Sequence, residues 1–102
     1  MCMYNCTELV EVKLPAGLTV LGEQSLMKCE KLRTVDFGQN LKTIEAFAFA
    51  DCFALAQISL PATMKDIKEY AFASCKNLET INCTATYDSA ENAFVDCAKL
   101  TH

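Results

Sequence analysis

Apolar residues along this chain follow two rhythms that alternate. In short stretches they occupy every second position, as at Val12/Leu14, Val35/Phe37, Ile58/Leu60 and Ile81/Cys83. A period of two puts those side chains on one face of an extended strand. The opposite face then carries Glu11 and Lys13, Thr34 and Asp36, Gln57 and Ser59, and Thr80 and Asn82. Pro15 and Pro61 directly follow two of these strands and end them, because proline has no N–H to give to a ladder. Next comes an apolar pair three apart, Leu18/Leu21, Leu41/Ile44, Met64/Ile67 and Tyr87/Ala90, which predicts a second short extended or turn segment. Last comes a small residue, a large apolar one and a cysteine, as in Ser25-Leu26…Cys29, Ala48-Phe49…Cys52, Ala71-Phe72…Cys75 and Ala93-Phe94…Cys97. A spacing of three puts Phe49 and Cys52 on one side of a helical turn, so helical or 3₁₀ turns are expected there.

These rhythms recur as a block. Cys6, Cys29, Cys52, Cys75 and Cys97 are separated by 23, 23, 23 and 22 residues, and a leucine follows each by three: Leu9, Leu32, Leu55, Leu78 and Leu100. One unit reads L-x-x-I-x-L-P-x-x-L-x-x-I-x-x-x-A-F-x-x-C. The copy ending at Cys97 is one residue short, between Glu91 and Ala93. The chain divides into a partial unit 1–8, repeats 9–31, 32–54, 55–77 and 78–99, and a final partial unit 100–102. A single unit cannot bury its own apolar face, so the units are expected to stack and bury it against one another.

The unit resembles the BspA-like class of leucine-rich repeats, from Cys2 to Leu100. The resemblance implies an α/β repeat fold. The fold it implies is a leucine-rich-repeat solenoid, expected as a right-handed coil of about four 23-residue turns, with short parallel strands on the concave face and helical or 3₁₀ turns on the convex side. The class has a glycine after the second isoleucine. Here it survives only at Gly22, with Glu45, Lys68 and Glu91 in its place, so the local turn geometry is open at three repeats. Solenoids need terminal caps with a polar outer face. Neither end of this chain looks like one, so a piece of a larger protein is expected. Met3, Leu9, Phe94 and Leu100 near the ends suggest end-to-end self-association.

Composition narrows the function by exclusion. The 102 residues are 52% hydrophobic with a formal net charge of −4, which gives no basic face for a nucleic-acid partner. No apolar run reaches the ~18 residues of a membrane span, and the first six residues do not read as a signal peptide, so no direct membrane insertion is expected. Seven cysteines invite a metal or disulfide reading. Zinc sites need clustered ligands, but only Cys2 and Cys6 are close in sequence and the one histidine is His102. Ladder neighbours ~5 Å apart fall within disulfide range, yet their Cβ vectors run parallel into the core. Buried thiols acting as small hydrophobes are the expectation for the ladder and for Cys83, with Cys2 the most exposed. A catalytic thiol would need solvent access and a positive neighbour such as Lys28 or Lys76, and no base stands ready for it. Three glycines offer no phosphate loop, so neither an enzyme nor a cofactor is expected. The Asn5-Cys6-Thr7 and Asn82-Cys83-Thr84 triplets centre on core cysteines and carry no argument.

What remains is binding or support. The polar strand columns Glu11, Lys13, Thr34, Asp36, Gln57, Ser59, Thr80 and Asn82 are the candidate concave binding face, and the resemblance implies a protein or glycan partner there. Phe47, Phe53 and Tyr70 are a candidate aromatic patch, with plain convex-side packing as the alternative. A structural spacer or scaffold segment with no ligand of its own is the competing function. The resemblance implies a microbial cell-surface or secreted protein, whereas so many thiols suggest a reducing compartment. Burial reconciles the two, because a buried thiol is inert outside the cell as well.

Overall fold

The computed structural model describes residues 8–84 and 86–100. The expectations for Cys2, Met3, Cys6, the Asn5-Cys6-Thr7 triplet and His102 lie outside the described residues. Each repeat contributes two short strands. The first set is β1 (Glu11–Lys13), β3 (Thr34–Asp36), β5 (Gln57–Ser59) and β7 (Thr80–Asn82). The second set is β2 (Val20–Leu21), β4 (Thr43–Ile44), β6 (Asp66–Ile67) and β8 (Asp88–Ser89). Every pairing among them is parallel, and from β1 to β7 it joins equivalent positions of adjacent repeats, as in Val12↔Val35, Ile58↔Ile81, Leu21↔Ile44 and Ile44↔Ile67. β8 departs from the expected column: Ile67 pairs with Ser89 and not with Ala90, so the residue missing from the last copy falls between β7 and β8 and not between Glu91 and Ala93. From β1 to β7 the chain takes three steps of 23 residues. The fold is therefore a parallel-strand solenoid of about three turns in its described strands, against the four expected.

The register turns sequence columns into buried ladders. Leu32, Leu55 and Leu78 form one, and Leu21, Ile44 and Ile67 another. The phenylalanines form a third, with Phe49 and Phe72 stacked at 5.0 Å and Phe72 and Phe94 at 5.3 Å. Phe37, in a strand-leucine column, closes on Phe49 edge to face at 5.6 Å. Offset and edge-on ring pairs of this kind add about 0.5–1.5 kcal/mol to the burial of each ring.

The described residues contain no helix, so the α/β class and the helical or 3₁₀ turns expected on the convex side are not borne out. The segments around Ala-Phe-x-x-Cys are chains of overlapping turns. Their backbone alternates partners. Ala48, Ala50 and Cys52 donate N–H bonds three residues back within their own turn, to Glu45, Phe47 and Phe49. Phe47, Phe49 and Asp51 donate instead to Glu69, Ala71 and Ala73 of the next turn, at 2.7–3.1 Å. A helix would have kept all these donors inside its own segment. The alternation requires left-handed residues, which occur just before the repeat cysteine at Lys28, Asp51, Ser74 and Asp96, and four residues earlier at Gln24, Phe47 and Tyr70. A spacing of three fits either turn type, so the pattern could not separate them.

The turns also settle the glycine column. Positive φ falls at Gln24, Phe47 and Tyr70, two residues beyond Gly22, Glu45 and Lys68, none of which has a left-handed backbone. Glutamate and lysine therefore fit where the repeat class has glycine. Gly38 is the one glycine held at positive φ, 73°, where its missing Cβ faces the backbone of Leu14, Pro15 and Ala16.

Candidate functional site

All eight residues of the predicted strand-face columns are exposed, while their neighbours Val12 and Ile58 are buried. Parallel pairing sets Glu11 beside Thr34, Lys13 beside Asp36, Gln57 beside Thr80 and Ser59 beside Asn82. Asp36 is partly committed, since its carboxylate accepts the Gly38 N–H at 3.0 Å and fixes the turn after β3. Asparagines and a threonine pin the loops between repeats in the same way. Asn40 donates to Ala16 O, Asn77 to Phe53 O and Thr63 to Leu41 O, each at 2.7–2.8 Å.

This face is not a continuous sheet. The second strand set joins all four members in the order β2-β4-β6-β8, but the first splits into β1-β3 and β5-β7. Arg33 N–H donates to Val10 O at 2.7 Å, and Glu79 N–H to Ala56 O at 2.8 Å. Among the described residues the equivalent bond from Ala56 to Arg33 is absent. Leu14 donates to Asp36 O and Leu60 to Asn82 O, but Phe37 makes no equivalent bond to Ser59. A seam therefore lies between β3 and β5. A groove of about 580 Å³ crosses it at the start of the strands, from Arg33 and Thr34 across Ala54, Ala56 and Gln57 to Glu79, Thr80 and Lys99. Only Thr34, Gln57 and Thr80 of this lining were legible as strand-face positions. The available signal was a change of side-chain size. Two residues after the cysteine the repeats carry Glu8, Lys31, Ala54, Asn77 and Lys99, and two further on Val10, Arg33, Ala56 and Glu79.

The proposed aromatic patch divides. Phe47 and Tyr70 stack at 5.0 Å with rings 13° from parallel, each 37% exposed, on left-handed backbone. Phe53 makes no ring contact with them and instead lies under the Lys76 ammonium, 5.0 Å from its centroid.

The described cysteines lie in the core or pack against it. Cys29, Cys52 and Cys75 are buried, and Cys83 and Cys97 are half-buried. Each of three thiols donates to a carbonyl of the previous turn, Cys52 to Leu26 O, Cys75 to Phe49 O and Cys97 to Phe72 O, at 3.1–3.2 Å. Burial pushes the Cys52 thiol up to about 12, with the neighbouring Cys29 adding to it. Cys75 is also raised, through its side-chain contact with Cys97 and then burial, and the same contact lowers Cys97. No group of three His, Cys, Asp or Glu among the described residues is arranged to hold a metal ion. No helix among them is long and apolar enough to cross a membrane.

Stacked parallel strands with leucine, phenylalanine and cysteine ladders define a leucine-rich-repeat solenoid. The chain belongs to the BspA type Leucine rich repeat region family, which matches residues 1–102 in 6 copies. It is similar to a leucine-rich-repeat protein of T. pallidum, with 31% identity and a TM-score of 0.87, the match covering 96% of this chain and 46% of that one. A leucine-rich repeat protein from Bacteroides ovatus shares the fold at 24% identity and a TM-score of 0.68, over 94% of this chain and 31% of that one. The chain thus spans less than half the length of either relative. No curated protein matches it.

Proposed function

We propose that the chain is a non-enzymatic binding module that presents the polar face of its first strand set to a protein or glycan partner, in a microbial surface or secreted protein. The observation that carries this reading is chemical variety on a regular scaffold. Along β1, β3, β5 and β7 the inward column is conservative, Val12, Val35, Ile58 and Ile81. The outward columns mix acid, base, hydroxyl and amide. A spacer has no use for such differences from turn to turn. Lateral pairing within β1-β3 and within β5-β7 fixes the side chains of each half of the face, which lowers the ordering cost of binding.

The test is a panel of soluble glycans and extracellular-matrix proteins, assayed with the native chain, with Lys13→Ala/Asp36→Ala, and with Phe47→Ser/Tyr70→Ser. A ligand that loses at least ~10-fold in affinity, about 1.4 kcal/mol, only with the strand-face pair supports the reading. Ligands that respond only to the aromatic pair move the site to the convex side. A panel with no binder leaves the scaffold function as the better account.

A further inference from the structure

We propose that the groove crossing the seam between β3 and β5 binds an extended acidic peptide segment by its carboxylates. This rests on the strand-face reading above and gives it a ligand class. The groove has a floor cut by Ala54 and Ala56, where the adjoining repeats carry Lys31, Asn77, Arg33 and Glu79. Arg33 and Lys99 stand at its two ends, on different turns of a chain with net charge −4. Arg33 is the one arginine in the sequence. Neither cation makes an ion pair among the described residues, although Lys31 nearby is engaged with Glu8 at 3.3 Å. An unengaged guanidinium presents a planar fork that matches a carboxylate bidentately.

The remaining chemistry favours a peptide over an acidic sugar. No aromatic ring lines the groove, so no flat apolar surface is offered to a sugar ring. Gln57 and Thr80 supply neutral donors and acceptors for peptide amides, and the seam leaves the Ala56 N–H and Arg33 C=O without the inter-turn bond that their counterparts make. Glu79 is the single acid in the lining and opposes an acidic ligand.

The experiment is ¹⁵N-detected titration of the 102-residue chain with a hexaglutamate peptide, and separately with hexagalacturonate, at low salt. Saturable shifts at Thr34, Gln57 and Thr80 are expected with hexaglutamate. Arg33→Gln should weaken association by about 10-fold, as for loss of a charge-assisted pair. Lys99→Gln should weaken it about 3-fold, as for an exposed charge. Glu79→Gln should strengthen it about 3-fold, a change of sign that a damaged fold would not produce. Lys68→Gln, outside the groove, should leave affinity within about twofold. The inference is overturned by tighter binding of hexagalacturonate, by a Glu79→Gln variant that binds no better, or by hexaglutamate shifts confined to the convex turns. Absence of hexaglutamate binding overturns it too. That result leaves the strand-face reading standing, because Lys13, Asp36 and the ligand panel test that reading independently.

Discussion

Left-handed backbone at non-glycine residues is the most unusual local feature of this chain. Lys28, Asp51, Ser74 and Asp96 all have φ between 58° and 65°. For L-residues that conformation costs roughly 1–2 kcal/mol, partly offset against the entropy that glycine would lose. Ser74 has no side-chain hydrogen bond among the described residues, so Ser74→Gly should raise stability by about 0.5–1 kcal/mol, read by chemical denaturation. A fall in stability would mean that the serine makes a contact worth more than the strain. At Cys52 the folded thiol titrates near 12 against 9.0 for an ordinary one. Above pH 9 the unfolded chain loses this proton while the folded chain keeps it, so the contribution is intact below pH 9 and is lost as pH rises toward 12. Stability should therefore drop by about 1.4 kcal/mol per pH unit per such thiol in that window. Denaturation curves of the native chain and of Cys52→Ala at pH 8 and 10.5 check this, since the variant should lose less. Cys52→Ser should itself destabilise the fold without affecting any ligand bound on the strand face.

Turns and strands rely on different glue. The strands are two or three residues long, too short to persist alone, and gain stability only from ladders repeated in neighbouring turns. In the Ala-Phe-x-x-Cys turns the phenylalanine stack couples successive repeats directly. Phe72 touches rings on both sides and is fully buried, so Phe72→Ala should cost about 3–5 kcal/mol. Phe47→Ala loses a ring that is 37% exposed and should cost about 1 kcal/mol or less. Equal losses in thermal melts of the two would contradict the division of the aromatics into core and surface. The strand columns were legible because a period of two has one structural meaning. The helix expectation failed because an Ala-Phe-x-x-Cys spacing is shared by helices and by turns that bond sideways. Which of the two forms depends on whether a neighbouring turn accepts the N–H groups.

Across the whole molecule, one strand ladder is continuous and the other is interrupted, so the solenoid is held more loosely on the side of its polar face. Hydrogen exchange should show this. The Ala56 amide, at the seam, should exchange at least ~10-fold faster than the Arg33 and Glu79 amides, which donate to the preceding turn. Uniform protection of the three would close the seam and remove the backbone part of the groove argument. The same looseness sets the groove beside the most variable columns.

The sequence by itself determined the repeat, the parallel register from β1 to β7, the ladders and the family, since each follows from columns kept in step at 23 residues; at β8 the structure shifted the register by one residue. It also determined which side chains face outward from β1, β3, β5 and β7. Only the tertiary structure decided the rest. It made the Ala-Phe-x-x-Cys turns non-helical, put the left-handed residues outside the glycine column, split Phe53 from Phe47 and Tyr70, and opened the ladder between β3 and β5. The physical reason is common to all four. Periodicity reports which side chains are buried, whereas these features depend on where backbone N–H groups find partners in another turn, and every residue type but proline brings the same N–H.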